Sequence, residues 1–352
     1  MLIEGVFAAV TTPFYPDERV YFRKLEANIA RYSRSLLAGM VVLGSTGEAP
    51  ALDDMETKEV LRVAAEAASA EKVLIAGLNR ESLRSVLELA ETAARAQYDA
   101  VLVRTPTYYA TQMTPEVVAN YFRAVADRSP LPVVLYNIPR CVPYQIPVEM
   151  VAELAHHPNI IAIKDSSGSL ERIKGIVDAT RTAPLRTVTV TPIFEAVTRR
   201  MTSQTTVAQP GTFVSAGELA GGLAVAVAPP VVPLKTRAKE VGFQVLTGSA
   251  SIIYPSLAAG ASGAILGFGA CAPEACYEVY FAWKDRDPKL AAEKQEKIAK
   301  ANQRITAEIG IAGVKYACDY NGYYGGYPRQ PLLPLTGDQK REVEALLAEI
   351  RN

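Results

Sequence analysis

A lysine that closes a short apolar run is the residue in this chain best placed to do chemistry. Ile160–Ile163 are four consecutive apolar residues, the pattern of a strand buried on both faces. The run ends in Lys164, and Asp165, a Ser-Ser-Gly turn and a helical pattern from about Ser169 follow. Burying an ammonium costs solvation free energy, which favours the neutral amine, and a neutral amine attacks a ketone to form a Schiff base. The same lysine could instead snorkel out at the strand end and pair with Asp165 or another acid. Which use applies depends on what the rest of the chain brings to that strand end.

The elements that would position Lys164 alternate regularly. Apolar runs at Gly5–Thr11, Met40–Leu43, Val73–Ala76, Ala100–Val103, Val133–Tyr136, Ile160–Lys164, Gln244–Thr247 and Ala264–Leu266 read as strands. A helical pattern follows each: Val20–Leu37, Asp53 to about Ala70, Ser82 to about Ala96, Thr114 to about Arg128, Pro147–Ala155, Ser169 to about Arg181, Ile252–Ala259 and Pro273–Lys284. Asp53 is a good cap, and Thr114-Pro115 pairs a cap with proline at the first helical position. Short apolar strands between amphipathic helices imply a parallel sheet, and this many units fit a closed (β/α)8 TIM barrel of roughly 250 residues before insertions. A doubly wound open sheet is the competing architecture. It usually carries a glycine-rich phosphate loop, and GSTGE at Gly44–Glu48 matches neither the dinucleotide fingerprint nor a Walker A loop.

The expected organisation is α/β: a barrel over residues 1–285, and a C-terminal helical extension over 286–352 with helices at Pro288–Glu308, Gly313–Tyr320 and Gly337–Ile350. The stretch at about 184–241 is far longer than an ordinary helix-to-strand connection and reads as an insertion. It is rich in Thr, Val, Ala and Pro and poor in charge, with Thr187–Thr191 a possible strand and Val225–Pro233 an extended segment. A helix-to-strand connection lies on the bottom face of a barrel, away from the chemistry, and so apolar a segment reads as a subunit contact rather than a solvated loop.

Reacting groups of a barrel gather at the C-terminal strand ends. Here those ends read Thr11-Thr12-Pro13, Gly44–Glu48, Thr105–Tyr109, Tyr136–Pro139, Lys164, Thr247-Gly248-Ser249 and Gly267. One rim would therefore carry a lysine, a tyrosine on the neighbouring strand, and a loop of hydroxyls. Each has a plainer use: Tyr136 as a core aromatic, Ser45 and Thr46 as turn caps, Tyr108 and Tyr109 as surface packing.

Composition narrows the field. The chain has 352 residues with 37 basic and 37 acidic side chains, so it lacks the electrostatic footprint of a nucleic-acid or acidic-membrane binder. Its two histidines are the adjacent His156 and His157, read as a helix-end turn. No Cys-x-x-Cys pair occurs among Cys141, Cys271, Cys276 and Cys318, so no metal site is expected. MLIEGVFAAVTTPF lacks a basic n-region and no run approaches a membrane span, which with the thiols points to the cytoplasm.

TTPF at Thr11–Phe14, GSTGE, the TP-x-YY pattern at Thr105–Tyr109, YNIP at Tyr136–Pro139 and IAIKDSSG at Ile161–Gly168 together resemble the dihydrodipicolinate synthase / N-acetylneuraminate lyase superfamily. These are pyruvate-handling class I aldolases on a (β/α)8 barrel with a C-terminal helical extension. The likeness spans nearly the whole chain apart from about Pro184–Val241. Gly310–Leu332 and FQVLTGSA at Phe243–Ala250 also resemble the 4-hydroxy-2-oxoglutarate aldolase branch.

The resemblance implies Lys164 as the Schiff-base lysine, Tyr136 as the proton relay, and Ser45 and Thr46 as holders of the pyruvate carboxylate. Tyr109 matches the tyrosine that reaches in from a neighbouring subunit, with Tyr108 a possible substitute, and Gly248 and Ile265 fall at the pyruvate site. It implies no cofactor beyond the covalent lysine–pyruvate imine, a 2-oxo acid and an aldehyde as partners, and a homo-oligomer, dimer or tetramer. One position departs from the pattern. Dihydrodipicolinate synthases usually carry arginine five residues after the relay tyrosine; here that position is Cys141, with Arg140 one residue earlier. The expected function is therefore a pyruvate-releasing or pyruvate-using lyase, favoured as 4-hydroxy-2-oxoglutarate aldolase-like, with condensation of pyruvate and aspartate semialdehyde as the alternative. A barrel retained only as a scaffold, and a phosphate-binding barrel using Gly248–Ser251 and Gly267–Gly269, are the other classes.

Overall fold

The computed structural model describes residues 1–206 and 234–350. Strands β1 (Gly5–Ala9), β2 (Gly39–Val42), β3 (Val73–Gly77), β4 (Ala100–Arg104), β5 (Val133–Asn137), β6 (Ile160–Asp165), β9 (Gln244–Thr247) and β10 (Gly263–Leu266) close into a barrel in the order β1-β10-β9-β6-β5-β4-β3-β2, and every pairing in it is parallel. Helices α1 (Phe22–Arg34), α2 (Asp54–Ala67), α3 (Leu83–Arg95), α4 (Pro115–Arg128), α5 (Val148–Leu154), α6 (Leu170–Ala179), α8 (Ile253–Ala258) and α9 (Pro273–Lys284) separate the strands. The expected (β/α)8 architecture is present.

The starts of these helices follow local chemistry. Asp53 accepts from the Glu56 N–H while the Glu56 carboxylate accepts from the Asp53 N–H, a reciprocal capping box. Ser82, Thr114 and Ser169 start α3, α4 and α6 as simple caps, each side chain accepting the N–H three residues on.

The two-residue period of each strand divides the apolar residues into two cores. Phe7 and Ala9, Val41, Val73 and Ile75, Ala100 and Leu102, Val134 and Tyr136, Ala162, Leu246 and Ile265 fill the barrel interior. Their strand neighbours, among them Val6, Met40, Leu74, Val101, Leu135, Ile163 and Leu266, pack against the helices.

Two regions depart from the sequence reading. The stretch read as one strand at Thr187–Thr191 forms β7 (Arg186–Val190), which pairs antiparallel with β8 (Arg237–Val241), a strand whose charged residues gave no apolar signal. Helix α7 (Arg199–Thr206) follows β7, and the segment Val225–Pro233 lies outside the described residues. The described parts of the insertion sit against the N-terminal ends of the barrel strands. Arg186 Nη2 donates to the carbonyls of Ala155, His157 and Ile160, each at 2.9 Å. The Arg199 N–H donates to Asp99 at 2.7 Å, and Lys239 pairs with Glu4 at 2.9 Å. A cavity of about 210 Å³ opens at this end, lined by Leu2, Glu4, Lys72, Phe194, Tyr277 and Tyr280, and lies across the barrel from Lys164.

The second departure is in the extension. The helix expected to run through Glu308 is α10 (Pro288–Asn302), which loosens into a π-helical turn over Gln303–Ile309 and stops at Gly310 with φ 85°. Helices α11 (Ile311–Tyr320) and α12 (Gly337–Leu347) complete it. Among the described residues no helix is long and apolar enough to cross a membrane.

Candidate active site

Lys164 is in register with Tyr136 on one side and with Leu246 on the other. Paired residues of parallel strands project to the same face, so the lysine and tyrosine side chains enter the barrel together. Lys164 is 3% exposed and Tyr136 4%. The lysine Nζ donates to the tyrosine hydroxyl at 3.3 Å and stands 4.3 Å from the ring centroid. The phenol in turn meets Ser45 Oγ at 3.5 Å. An amine, a phenol and an aliphatic hydroxyl thus form one line from the barrel interior to the loop after β2.

Lys164 does not turn outward to pair with Asp165. Alternation sends Asp165 to the helix side, where Oδ2 accepts from Arg172 Nε at 2.7 Å and from Asn137 Nδ2 at 2.8 Å, and Oδ1 accepts from the Ser167 N–H at 3.0 Å. Asn137 Oδ1 takes the Ile146 N–H at 3.1 Å. The adjacent acid is therefore occupied, and the lysine is left facing hydroxyls.

Ser45 and Thr46 lie in a single 3-10 turn, Ser45–Gly47, half-buried at the rim. Thr12 Oγ1 donates to the Gly47 carbonyl at 2.7 Å, which ties this turn to the loop after β1. A Cβ on Gly267 would stand 3.0 Å from Thr46 Oγ1, so the turn reaches across to the end of β10. Ile265 is fully buried in the interior cluster that includes Tyr136. Gly248 donates its N–H to the Asp165 carbonyl at 2.6 Å, and a Cβ there would lie 1.9 Å from Ser166 Oγ, so only glycine lets the loop after β9 close against the strand that carries Lys164.

Three residues that the sequence analysis singled out stand apart from this group within the chain. Tyr108 and Tyr109 are 80% and 61% exposed and pack edge to face with centroids 5.1 Å apart. Arg140 is exposed, and its guanidinium donates to the Ala307 carbonyl in the π turn. The rim between the loop after β5 and the extension is bridged by that contact.

Several residues that organise the site carry no assignment from the sequence alone. Asn137 and Asp165 lie inside the YNIP and KDSSG motifs, yet their partners come from other elements. Glu81 is a further case. It accepts from the Thr107 N–H at 2.7 Å, the Thr107 hydroxyl at 2.8 Å, the Tyr108 N–H at 3.0 Å and Arg104 Nη2 at 2.7 Å, and so fixes the loop that presents both tyrosines. Nothing in the surrounding sequence marked it. Among the described residues no group of three His, Cys, Asp or Glu side chains could hold a metal ion.

The chain matches the Dihydrodipicolinate synthetase family over residues 2–184 and 231–350. It is 28% identical over 346 residues to the 4-hydroxy-tetrahydrodipicolinate synthase of Acidiphilium cryptum, covering 98% of each chain. It is 29% identical over 351 residues to the L-threo-3-deoxy-hexylosonate aldolase of Hypocrea jecorina, covering 98% of this chain and 95% of that one. Its fold superposes on a dihydrodipicolinate synthase from Bacillus anthracis with a TM-score of 0.77 at 22% identity, over 99% of both chains.

Glu81 should make the hold on the tyrosine loop depend on acid pH. Burial pushes its carboxyl up, but the Tyr108 N–H, the Arg104 guanidinium and the Thr107 donors together outweigh burial and hold it down at about 2, below the ordinary 4.5. A depressed folded pKa stabilises fully above the unfolded value, and that contribution is lost as pH falls from about 4.5 to about 2. Glu81→Gln should flatten this part of the dependence. Thermal melts of both proteins across that range check it, and parallel curves would show that Glu81 contributes nothing there.

Proposed function

The chain belongs to the dihydrodipicolinate synthetase family, and from that premise we propose that it is a class I aldolase that makes or breaks a carbon–carbon bond through a Schiff base of pyruvate on Lys164. The observation that carries the reading is the line Lys164–Tyr136–Ser45, with the neighbouring acid, Asp165, held by Arg172 and Asn137. The amine of Lys164 attacks the keto carbon, and the carbinolamine loses water to give an iminium. The iminium withdraws electrons from the adjacent methyl carbon, which gives up a proton and becomes an enamine nucleophile. Addition of that carbon to an aldehyde forms the new bond, and water then releases the product from the lysine. The same steps in reverse cleave a 4-hydroxy-2-oxo acid into an aldehyde and pyruvate.

Protons leave and return at the carbinolamine oxygen and at the aldol oxygen, and the Tyr136 phenol is within reach of the amine where both lie. Ser45 and Thr46 receive the pyruvate carboxylate with donors that do not compete as bases. Gly248 and Ile265 bound the space beside the imine. No external cofactor enters this scheme. Borohydride with pyruvate should add one reduced pyruvyl group, and peptide mass should map it to Lys164. In the same protein Tyr136→Phe should slow turnover by roughly 10²–10⁴ and still fold. Labelling at another lysine, or no labelling, sinks the mechanism.

We assign Tyr109 to a neighbouring subunit's site. Support comes from its exposure together with the stiff hold of Glu81 on its loop, which presents an aromatic pair to solvent at a defined angle. The active species is then a homo-oligomer, a dimer or tetramer. Sedimentation at assay concentration is the test, and a fully active monomer would remove Tyr109 from the reaction.

For the second substrate we favour a 4-hydroxy-2-oxo acid such as 4-hydroxy-2-oxoglutarate, cleaved to pyruvate, over condensation with aspartate semialdehyde. Support comes from the sequence likeness of Gly310–Leu332 to the aldolase branch and from Cys141 at the usual arginine position. Arg140 is the nearest guanidinium in sequence, and it is engaged with the Ala307 carbonyl. Relatives of both kinds, synthase and sugar-acid aldolase, stand at similar identity. Parallel assays of condensation and of cleavage of 4-hydroxy-2-oxoglutarate and 2-keto-3-deoxygluconate discriminate the two readings. Condensation with aspartate semialdehyde at a kcat/KM of roughly 10⁴ M⁻¹s⁻¹ or above would reverse the preference.

A further inference from the structure

The motif YYGGYPRQP at Tyr323–Pro331 and the buried lysine ahead of it take no part in the reaction described above. Lys315, on α11, is fully buried, and it points out of the extension toward the barrel rim. Its Nζ stands 2.5 Å from Glu48 Oε1, donates to the Tyr327 carbonyl at 2.6 Å and lies 4.2 Å from the Phe14 ring centroid. The other Glu48 oxygen accepts the Arg329 N–H at 2.8 Å. The Arg329 guanidinium covers the opposite reach of the same loop. It donates to the Ala51 carbonyl at 2.8 Å and to the Glu56 carboxylate at 2.6 and 2.7 Å, and it stands 4.3 Å from Phe14. The chain can run this close to α11 only as glycine, because a Cβ on Gly325 would lie 1.9 Å from the Lys315 carbonyl oxygen.

Glu48 is the residue on which these contacts converge, and it directly follows Ser45–Gly47. Its backbone is left-handed, φ 53° and ψ 31°, a conformation that a residue with a Cβ holds only when its surroundings over-determine it. Its N–H donates to the Ser45 carbonyl at 3.1 Å, so its backbone closes the turn. Its charge also matters. An anion beside a turn that receives a carboxylate opposes binding, and the Lys315 ammonium neutralises it while drawing its oxygens toward the extension. A buried ion pair adds little net stability over an apolar pair of the same size. What this one supplies is a fixed direction for the Glu48 backbone.

We propose that the buried Lys315–Glu48 pair, closed by Arg329, holds the Ser45–Gly47 turn in the geometry that receives a 2-oxo acid carboxylate, which makes Lys315 a positioning residue for substrate binding. This rests on the reading that Ser45 and Thr46 bind that carboxylate. The C-terminal extension then acts on the chemistry through the binding step and leaves the imine-forming step alone.

The test is borohydride trapping of pyruvate by the full chain, with adduct measured against pyruvate concentration and a melting curve for each protein. Lys315→Met should need roughly tenfold or more pyruvate for half-maximal adduct, the loss expected for a charged contact, with the maximal adduct unchanged. The paired change Glu48→Gln with Lys315→Met removes both charges, so no lone buried charge is left to unfold the protein. It should melt near wild type and still show a raised half-saturation, which a merely stabilising role would not produce. Half-saturation equal to wild type in the paired variant overturns the proposal, even if the single variant fails to fold. A fall in maximal adduct at unchanged half-saturation overturns it as well. Absence of adduct in the wild type fails the aldolase reading itself, and this inference falls with it.

Discussion

The end of the barrel that carries Lys164 depends on the two-residue period of one strand. In β6, Ala162 and Lys164 face the interior while Ile163 and Asp165 face the helices. A slip of one residue in the pairing with β5 and β9 would reverse both, placing the acid among the interior aliphatics and the amine in the helix layer. The register is held at its polar end by a network outside the barrel. Asp165 is gripped by Arg172 on α6 and by Asn137 on β5, and Asn137 also takes the Ile146 N–H. The charge next to Lys164 is thereby spent on anchoring, and the interior around the amine is furnished with hydroxyls.

The rest of the rim follows the same division of labour. Around the Lys164 amine the nearby groups are hydroxyls: the Tyr136 phenol and the Ser45 and Thr46 side chains. Charged groups stand behind them and set backbone direction. Glu81 binds the N–H groups of the tyrosine loop, Glu48 at the end of the turn after β2 accepts the Arg329 N–H, and Arg329 ties that turn to the start of α2. Each of these anchors joins segments far apart in the chain, so the precision of the site comes from the closed fold. The insertion is anchored at the other end. Arg186, Arg199 and Lys239 bind groups at the N-terminal ends of the strands, across the barrel from the amine.

Much of this was legible beforehand because its causes are local. Four-residue apolar runs separated by capped amphipathic helices prescribe a parallel α/β sheet, and Lys164, Tyr136, Ser45 and Thr46 fall at strand ends in any such barrel. The readings that needed revision had no local signal. Strand β8, RAKEV, is charged and mostly accessible, so neither apolarity nor alternation marked it, and its partner β7 lies across a long intervening segment. The π turn at Gln303–Ile309, QRITAEI, contains neither Gly nor Pro to mark an interruption of the helix. One of its carbonyls, that of Ala307, accepts from Arg140 of a distant loop, a contact that no neighbour in sequence announces.

By itself, the sequence determined the period of each element, the caps that start the helices, and therefore which residues end the strands. These are short-range effects, set by alternation and by hydrogen bonds spanning about three residues. The tertiary structure decided where the rim residues point. Arg140 and Tyr109 lie in irregular loops, where no period constrains the side chain, and each takes its direction from a distant partner: the Ala307 carbonyl for Arg140, and Glu81, through the Tyr108 N–H, for the Tyr109 loop. The same holds for the pairing of Lys315 with Glu48. Two residues on opposite sides of the sequence become one buried ion pair only when the extension folds back over the barrel, and no spacing rule connects them.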